Sequence, residues 1–204
     1  MIYEMRTYHV RPGTQAKVME RDAKALPVRE KHSKLGAYWY TVHGPLNEII
    51  HVWPYEDLAE RARVRAQAKE DPDMPPPVAD AIVDMQSAVV TPAPFMRPLG
   101  HQELGNIYEM RVYAFRPGTM PEVLRRWAEA VPHREKYSPL AACWYTAQGG
   151  LNLFYHVWPY NSLAHREEVR GQATKDPHWP PGSNEFLVAM ENKILAPAPF
   201  SPMR

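Results

Sequence analysis

Ile2-Tyr-Glu-Met-Arg-Thr-Tyr8 opens the chain, and Ile107-Tyr-Glu-Met-Arg-Val-Tyr113 opens it again 105 positions later. The register holds without a gap from Ile2–Phe95 onto Ile107–Phe200. Arg11-Pro-Gly-Thr14 returns as Arg116-Pro-Gly-Thr119, His51-Val-Trp-Pro-Tyr55 as His156-Val-Trp-Pro-Tyr160, and Pro92-Ala-Pro-Phe95 as Pro197-Ala-Pro-Phe200. About half of the aligned positions are identical. A solenoid unit runs to roughly 20–45 residues, so a repeat of this length is a duplicated domain. This reading makes residues 1–98 repeat 1, 99–105 a linker and 106–204 repeat 2.

Ile2 to Val10 alternates and is rich in β-formers, so it predicts a strand, with Glu4, Arg6 and Tyr8 on one face. Arg11-Pro-Gly-Thr14 supplies a turn, with Thr14 placed to cap a helix. From Thr14 to Lys34 the apolar residues Met19, Ala23 and Leu26 recur at helical spacing, and Pro27 predicts a break into two helical pieces. Ala37–Val42 and Leu46–Trp53, joined by Gly44-Pro45, read as a hairpin. Leu58–Glu70 reads as a charged helix stopped by Asp71-Pro72, Val78–Met85 as a short helix, and Ser87–Thr91 as the last strand. The order β, α, β, β, α, β defines an α+β unit of ferredoxin-like type, whose antiparallel sheet carries both helices on one face. The bare face would expose more tryptophan, tyrosine and isoleucine than a monomer tolerates, and the second copy is its natural cover. The two sheets are therefore expected to pack face to face, or to close at their edges, as an intrachain pseudo-twofold α/β barrel.

Composition narrows the function classes. The 204 residues are 45% hydrophobic and 23% charged, with a formal charge of +1 from 24 basic and 23 acidic residues. No net field draws such a chain to nucleic acid or anionic lipid, so neither nucleic acid nor membrane is an expected partner. The single cysteine, Cys143, excludes an intramolecular disulfide and suits a reducing, cytoplasmic setting. The chain opens directly on a strand, which predicts no signal or targeting segment ahead of it.

Taken together, Ile-Tyr-Glu-Met-Arg-Thr-Tyr, Arg-Pro-Gly-Thr, Tyr-Trp-Tyr-Thr, Leu-Asn-Glu-Ile-Ile-His-Val-Trp and Pro-Ala-Pro-Phe resemble the NIPSNAP family over almost the whole chain, twice. The resemblance implies the dimeric α/β-barrel fold, built here from tandem copies. It implies little about activity. Bacterial members mostly have no assigned reaction, eukaryotic ones are mitochondrial proteins tied to membrane traffic and organelle quality control, and other families with this barrel include cofactor-independent monooxygenases, haem-degrading enzymes, lactone isomerases and polyketide cyclases.

Charges on barrel strands are costly unless they serve a purpose, so strand residues are the site candidates. Arg6 and Tyr8 with Asn47, His51 and Trp53, and their copies Arg111, Tyr113, Asn152, His156 and Trp158, would give each repeat a proton-moving histidine, an anion-holding arginine and aromatic walls. Trp39 and Trp144 join them as wall or as shared core. On this reading His51 and His156 are catalytic bases and the others bind substrate, a small aromatic or carboxylated molecule in the barrel cavity. Alternatively, Arg6 and Glu4 form a register-fixing ion pair, the histidines are satisfied core groups, and the barrel is a non-enzymatic scaffold. No metal-ligand spacing, nucleotide loop or nucleophile elbow occurs, so neither metal nor cofactor is expected, although one axial histidine would suffice for haem. Cys143 reads as packing, and the helix bearing Arg61, Arg63, Arg65 and Lys69 as a solvated face. The loop around Asp73-Met74, which becomes His178-Trp179, changes most between the copies, and Asp22 becomes Trp127. If the barrel has two cavities they are expected to be unequal, with His178 and Trp179 marking the more specialised one, and the alternative is an exposed loop that drifts freely. Exposed sheet edges leave a homodimer of the whole chain open.

Overall fold

A computed structural model describes residues 1–204. Repeat 1 runs β1 (Ile2–Val10), α1 (Gln15–Arg29), β2 (Ala37–His43), β3 (Glu48–Tyr55), α2 (Leu58–Glu70) and β4 (Ile82–Pro92). Repeat 2 runs β5 (Ile107–Phe115), α3 (Met120–Arg134), β6 (Ala142–Gln148), β7 (Leu153–Tyr160), α4 (Leu163–Ala173) and β8 (Leu187–Pro197), with a 3-10 turn at Asn184–Phe186. All eight strands form one closed antiparallel barrel in the order β1-β3-β2-β8-β5-β7-β6-β4. The repeats close at their edges, through Trp39–His43 against Ile194–Pro197 and Val89–Pro92 against Trp144–Gln148. The α+β class, the tandem ferredoxin-like units and the barrel all agree with the sequence.

Several local expectations differ. Pro27 and Pro132 lie two residues before the ends of single helices and do not split them, because only the last turn loses its amide bond. The Thr14 hydroxyl donates to the Arg11 carbonyl at 2.7 Å and caps nothing, whereas Asp57 and Ser162 accept from the Glu60 and His165 amides at the starts of α2 and α4. Val78–Met85 forms no helix. The chain enters β4 at Ile82, and a bulge opposite His9 and Val10 offsets its alternation.

Closure leaves β4 unpaired on one side before Val89, and β8 likewise before Ile194. Val83, Met85, Val188 and Met190 stand exposed there, so this is where the expected free edge persists.

Alternation sends Tyr3, Met5, Trp39, Ile50, Val52 and Val90 into the barrel with Tyr108, Met110, Trp144, Val157 and Leu195. Trp39 meets Tyr108 at 5.5 Å and Tyr3 meets Trp144 at 5.9 Å between ring centres, so aromatic pairs join the repeats. Leu99 and Leu104, from the segment between repeats, close that end beside Met203, and Gln102 bridges to Met203. The opposite end is open, with a cavity of about 410 Å³. The helices cover the outer face, where Val18 and Val64 meet Tyr38, Trp53 and Tyr55 in repeat 1, and Val123, Trp127 and Val169 meet Trp158 and Tyr160 in repeat 2.

Candidate functional site

Glu4, Arg6 and Tyr8 share one face, but it is the outer face, under the helices. Arg6, Tyr8, His51 and Trp53 therefore do not line the barrel cavity, and neither do Arg111, Tyr113, His156 and Trp158. They gather instead between sheet and helices, once per repeat. Trp39 and Trp144 do point into the barrel, where both are fully buried core. Asn47 and Asn152 do not point with the histidines. They hold the hairpin turns at φ 60° and 57°, and their carbonyls accept from the Val10 and Phe115 amides. Asparagine tolerates this left-handed backbone better than most side chains do.

At each centre lies a fully buried carboxylate. Glu4 accepts from Arg61 at 2.6 Å, from Ser87 at 2.9 Å, and from Arg6 and Arg65 at 3.1 Å. Glu109 accepts from Arg166 at 2.6 Å, from Arg111 and Asn192 at 2.9 Å, and from Arg170 at 3.4 Å. Burial alone would raise these carboxyls, but the arginine hydrogen bonds and charges outweigh it and hold both at about 2. The Glu4–Arg6 pair is thus real, but it lies within one strand of one repeat and does not fix register between repeats. Arg61 and Arg65 were missed as solvated residues. Their signal was an i, i+4 arginine pair kept as Arg166 and Arg170, one helical turn apart on the face turned to the sheet.

Each histidine sits in an aromatic cage. Trp53 donates its indole N–H to His51 Nδ1 at 2.6 Å, and Trp158 donates to His156 Nδ1 at 2.7 Å. Tyr8 and Tyr113 stand edge-on to the imidazoles at 4.7 Å, and each phenol oxygen accepts from its arginine, Arg6 Nε at 2.9 Å or Arg111 Nε at 2.8 Å. Burial first, then the arginine charges, push His51 down to about 3 and His156 in the same direction. Both are therefore neutral at pH 7. Because the indole can only donate, Nδ1 must accept and the ring proton sits on Nε2. That arrangement offers a ligand a donor, not a base, and it leaves no lone pair for a haem iron, so the site does not fit axial haem ligation.

Donors without partners recur at matching positions. His51 Nε2, Arg29 Nη1 and Arg61 Nε are buried and unbonded, as are His156 Nε2, Arg134 Nη1 and Arg166 Nε. Arg29 lies over the Trp53 ring at 4.3 Å and gives its other nitrogen to Tyr55 at 2.8 Å, with Arg134, Trp158 and Tyr160 repeating the pattern. Arg6, Arg61 and Arg65 thus face a single carboxylate, Glu4, while Arg29 has only the Tyr55 hydroxyl and the Trp53 ring.

The NIPSNAP family profile matches residues 3–97 and again 108–202. The chain belongs to the NIPSNAP family. Among its relatives, Protein NipSnap homolog 3B of Homo sapiens is 28% identical over 215 residues, covering 99% of this chain and 85% of the human protein. Protein NipSnap of Drosophila melanogaster is 27% identical over 217 residues, covering 99% of this chain and 78% of its own length. A putative monooxygenase from Lactobacillus acidophilus shares the fold, with a TM-score of 0.67 at 11% identity over 96% of this chain and 92% of that one.

The two NIPSNAP repeats differ above the histidine. In repeat 1, Tyr38 stacks on His51 at 5.6 Å and donates its hydroxyl to Asp22 at 2.5 Å. Burial raises the Asp22 carboxyl to about 6, against the lowering effect of that bond. In repeat 2, Cys143 and Trp127 replace Tyr38 and Asp22. Trp127 packs on His156 at 4.6 Å and on Trp179 at 5.5 Å, filling the space. His178 meets His133 instead, at 4.2 Å. Trp179 packs on Trp127 and Trp158 in repeat 2, and the Asp22–Tyr38 pair occurs in repeat 1 alone.

Proposed function

We propose that this NIPSNAP protein binds a small organic anion, a carboxylate or an enolate, between sheet and helices, with repeat 1 as the reactive copy. One observation carries the reading: three arginines face one carboxylate, and the same three buried N–H donors lack partners in both repeats. Buried cations without counter-charge are costly, and an anionic ligand would supply that charge and accept those hydrogen bonds. In repeat 1, Asp22 titrates near neutrality, which suits a general base. The reaction class is proton abstraction beside a carbonyl: the carbon acid gives its proton to the Asp22 carboxylate, and the enolate oxygen is met by the His51 Nε2–H and the arginines. Tyr38 orients Asp22 through its hydroxyl.

Phenylpyruvate, an aromatic enolisable carboxylate, is the probe. Exchange of its methylene protons for deuterium, followed by NMR, is expected to speed up with the protein, to fall at least tenfold with Asp22→Asn, and to persist with His156→Gln. Exchange no faster than in buffer, or unchanged by Asp22→Asn, would sink the proton-transfer reading.

A further inference from the structure

We propose that the open mouth of the barrel is a second ligand site, taking one uncharged amphipathic molecule whose carbonyl or hydroxyl oxygen meets Lys193. The cavity there, about 410 Å³, falls within the roughly 300–1,000 Å³ range of small-molecule pockets. It lies on the inner face of the sheet, opposite the histidine and arginine sites, so the proposal stands independently of the function argued above.

Divergence of the repeats built this mouth. Glu48, His9 and Lys193 project into it, where the pseudo-twofold would place Leu153, Ala114 and Ala88. One wall is polar and the facing wall apolar, whereas the sites beneath the helices kept their central glutamate and its arginines in both copies. A pocket with two unlike walls takes one amphipathic molecule, not a symmetric pair.

The polar wall selects the head group. Glu48 is nearly buried and spends both oxygens, accepting from Lys193 Nζ at 2.5 Å and meeting His9 Nε2 at 2.9 Å. Lys193 makes no other side-chain hydrogen bond, so two of its three ammonium protons remain to donate. An anionic head would compete with Glu48 for Lys193 and lie beside Glu191, which also lines the mouth. A cationic head would meet the ammonium itself. A neutral oxygen acceptor has neither conflict, and Met110, Val112, Leu153 and Tyr155 receive its apolar body.

The probe is Prodan, a neutral naphthyl ketone whose emission shifts to the blue in an apolar site. The full chain is expected to bind one Prodan with a blue shift that phenylpyruvate does not reverse. Ala114→Trp and Ala189→Trp, each filling the mouth from a neighbouring strand, are expected to weaken binding more than tenfold. The charge-balanced Glu48→Gln, Lys193→Met pair is expected to weaken it about tenfold while the body still fits, with circular dichroism reporting the fold of each variant. No binding to the wild type, equal binding by both folded tryptophan variants, or displacement by phenylpyruvate would overturn the proposal.

Discussion

The indole N–H of Trp53 points at His51 Nδ1 from 2.6 Å, two residues along the same strand face, and Trp158 stands to His156 in the same way. The bond fixes the tautomer, and burial keeps the ring neutral. A histidine held this way ties the stability of the barrel to pH.

Unfolded, His51 titrates near 6.5; folded, near 3. Between those values the unfolded chain binds a proton that the folded chain does not, so stability falls as pH drops through that window. His156 acts in the same direction. Glu4 and Glu109, at about 2 when folded against an ordinary 4.5, add a loss only below about 4.5. Asp22, raised from 3.8 to about 6, takes its proton in the folded state first and opposes the loss between those values. The melting temperature is therefore expected to fall between pH 7 and pH 5, and less steeply in His51→Gln, whose amide oxygen still accepts from Trp53. Calorimetric melts showing parallel slopes would refute the assignment.

Removing the carboxylate at the centre of an arginine cluster should cost more than any surface change. Glu4→Gln leaves Arg6, Arg61 and Arg65 without counter-charge and is expected to destabilise by about 3–5 kcal/mol, as for breaking a buried ion pair. Chemical denaturation measures this, and a loss below about 1 kcal/mol would mean that water already screens the cluster.

Asn47 shows how a turn residue can pass for a ligand contact. At φ 60° it should be replaceable by glycine without loss, whereas Asn47→Val is expected to cost about 1–2 kcal/mol. Phenylpyruvate binding should be unchanged in both folded variants. A weakened affinity in Asn47→Gly would return Asn47 to the site.

Repeat 1 alone exposes the β2 and β4 edges that β8 and β6 cover. Residues 1–98 expressed alone are therefore expected to form a homodimer that rebuilds the barrel, Trp39 packing on the partner's Tyr3. Light scattering on the purified fragment checks this, and a folded monomer would show that barrel closure is not what stabilises the repeat.

The duplication, the order of elements and the parity along each strand were legible because they depend on local pattern and on an offset of 105. The inward face was not. In β1 no residue is fully exposed, since the barrel interior lies on one side and the helices on the other, so alternation carries no polar face to orient it. Arg61 and Arg65 hid for a related reason: an arginine reaching a buried glutamate and one reaching water read the same in sequence. Asp22 and Tyr38 were visible only as differences between copies, and their contact needed the packing of α1 on the sheet. The polar mouth needed the fold itself, because Glu48 and Lys193 lie 145 positions apart and meet only on closure.

The claim that an anion binds beneath the helices is tested most directly by titration calorimetry of phenylpyruvate and its methyl ester, with the wild type and with Arg29→Met, Arg65→Met. Binding of the acid by the wild type, at least tenfold weaker for the ester and at least tenfold weaker for the variant, is what the arginine surplus predicts. Acid and ester bound alike, or a variant that binds the acid as well as the wild type does, would contradict it.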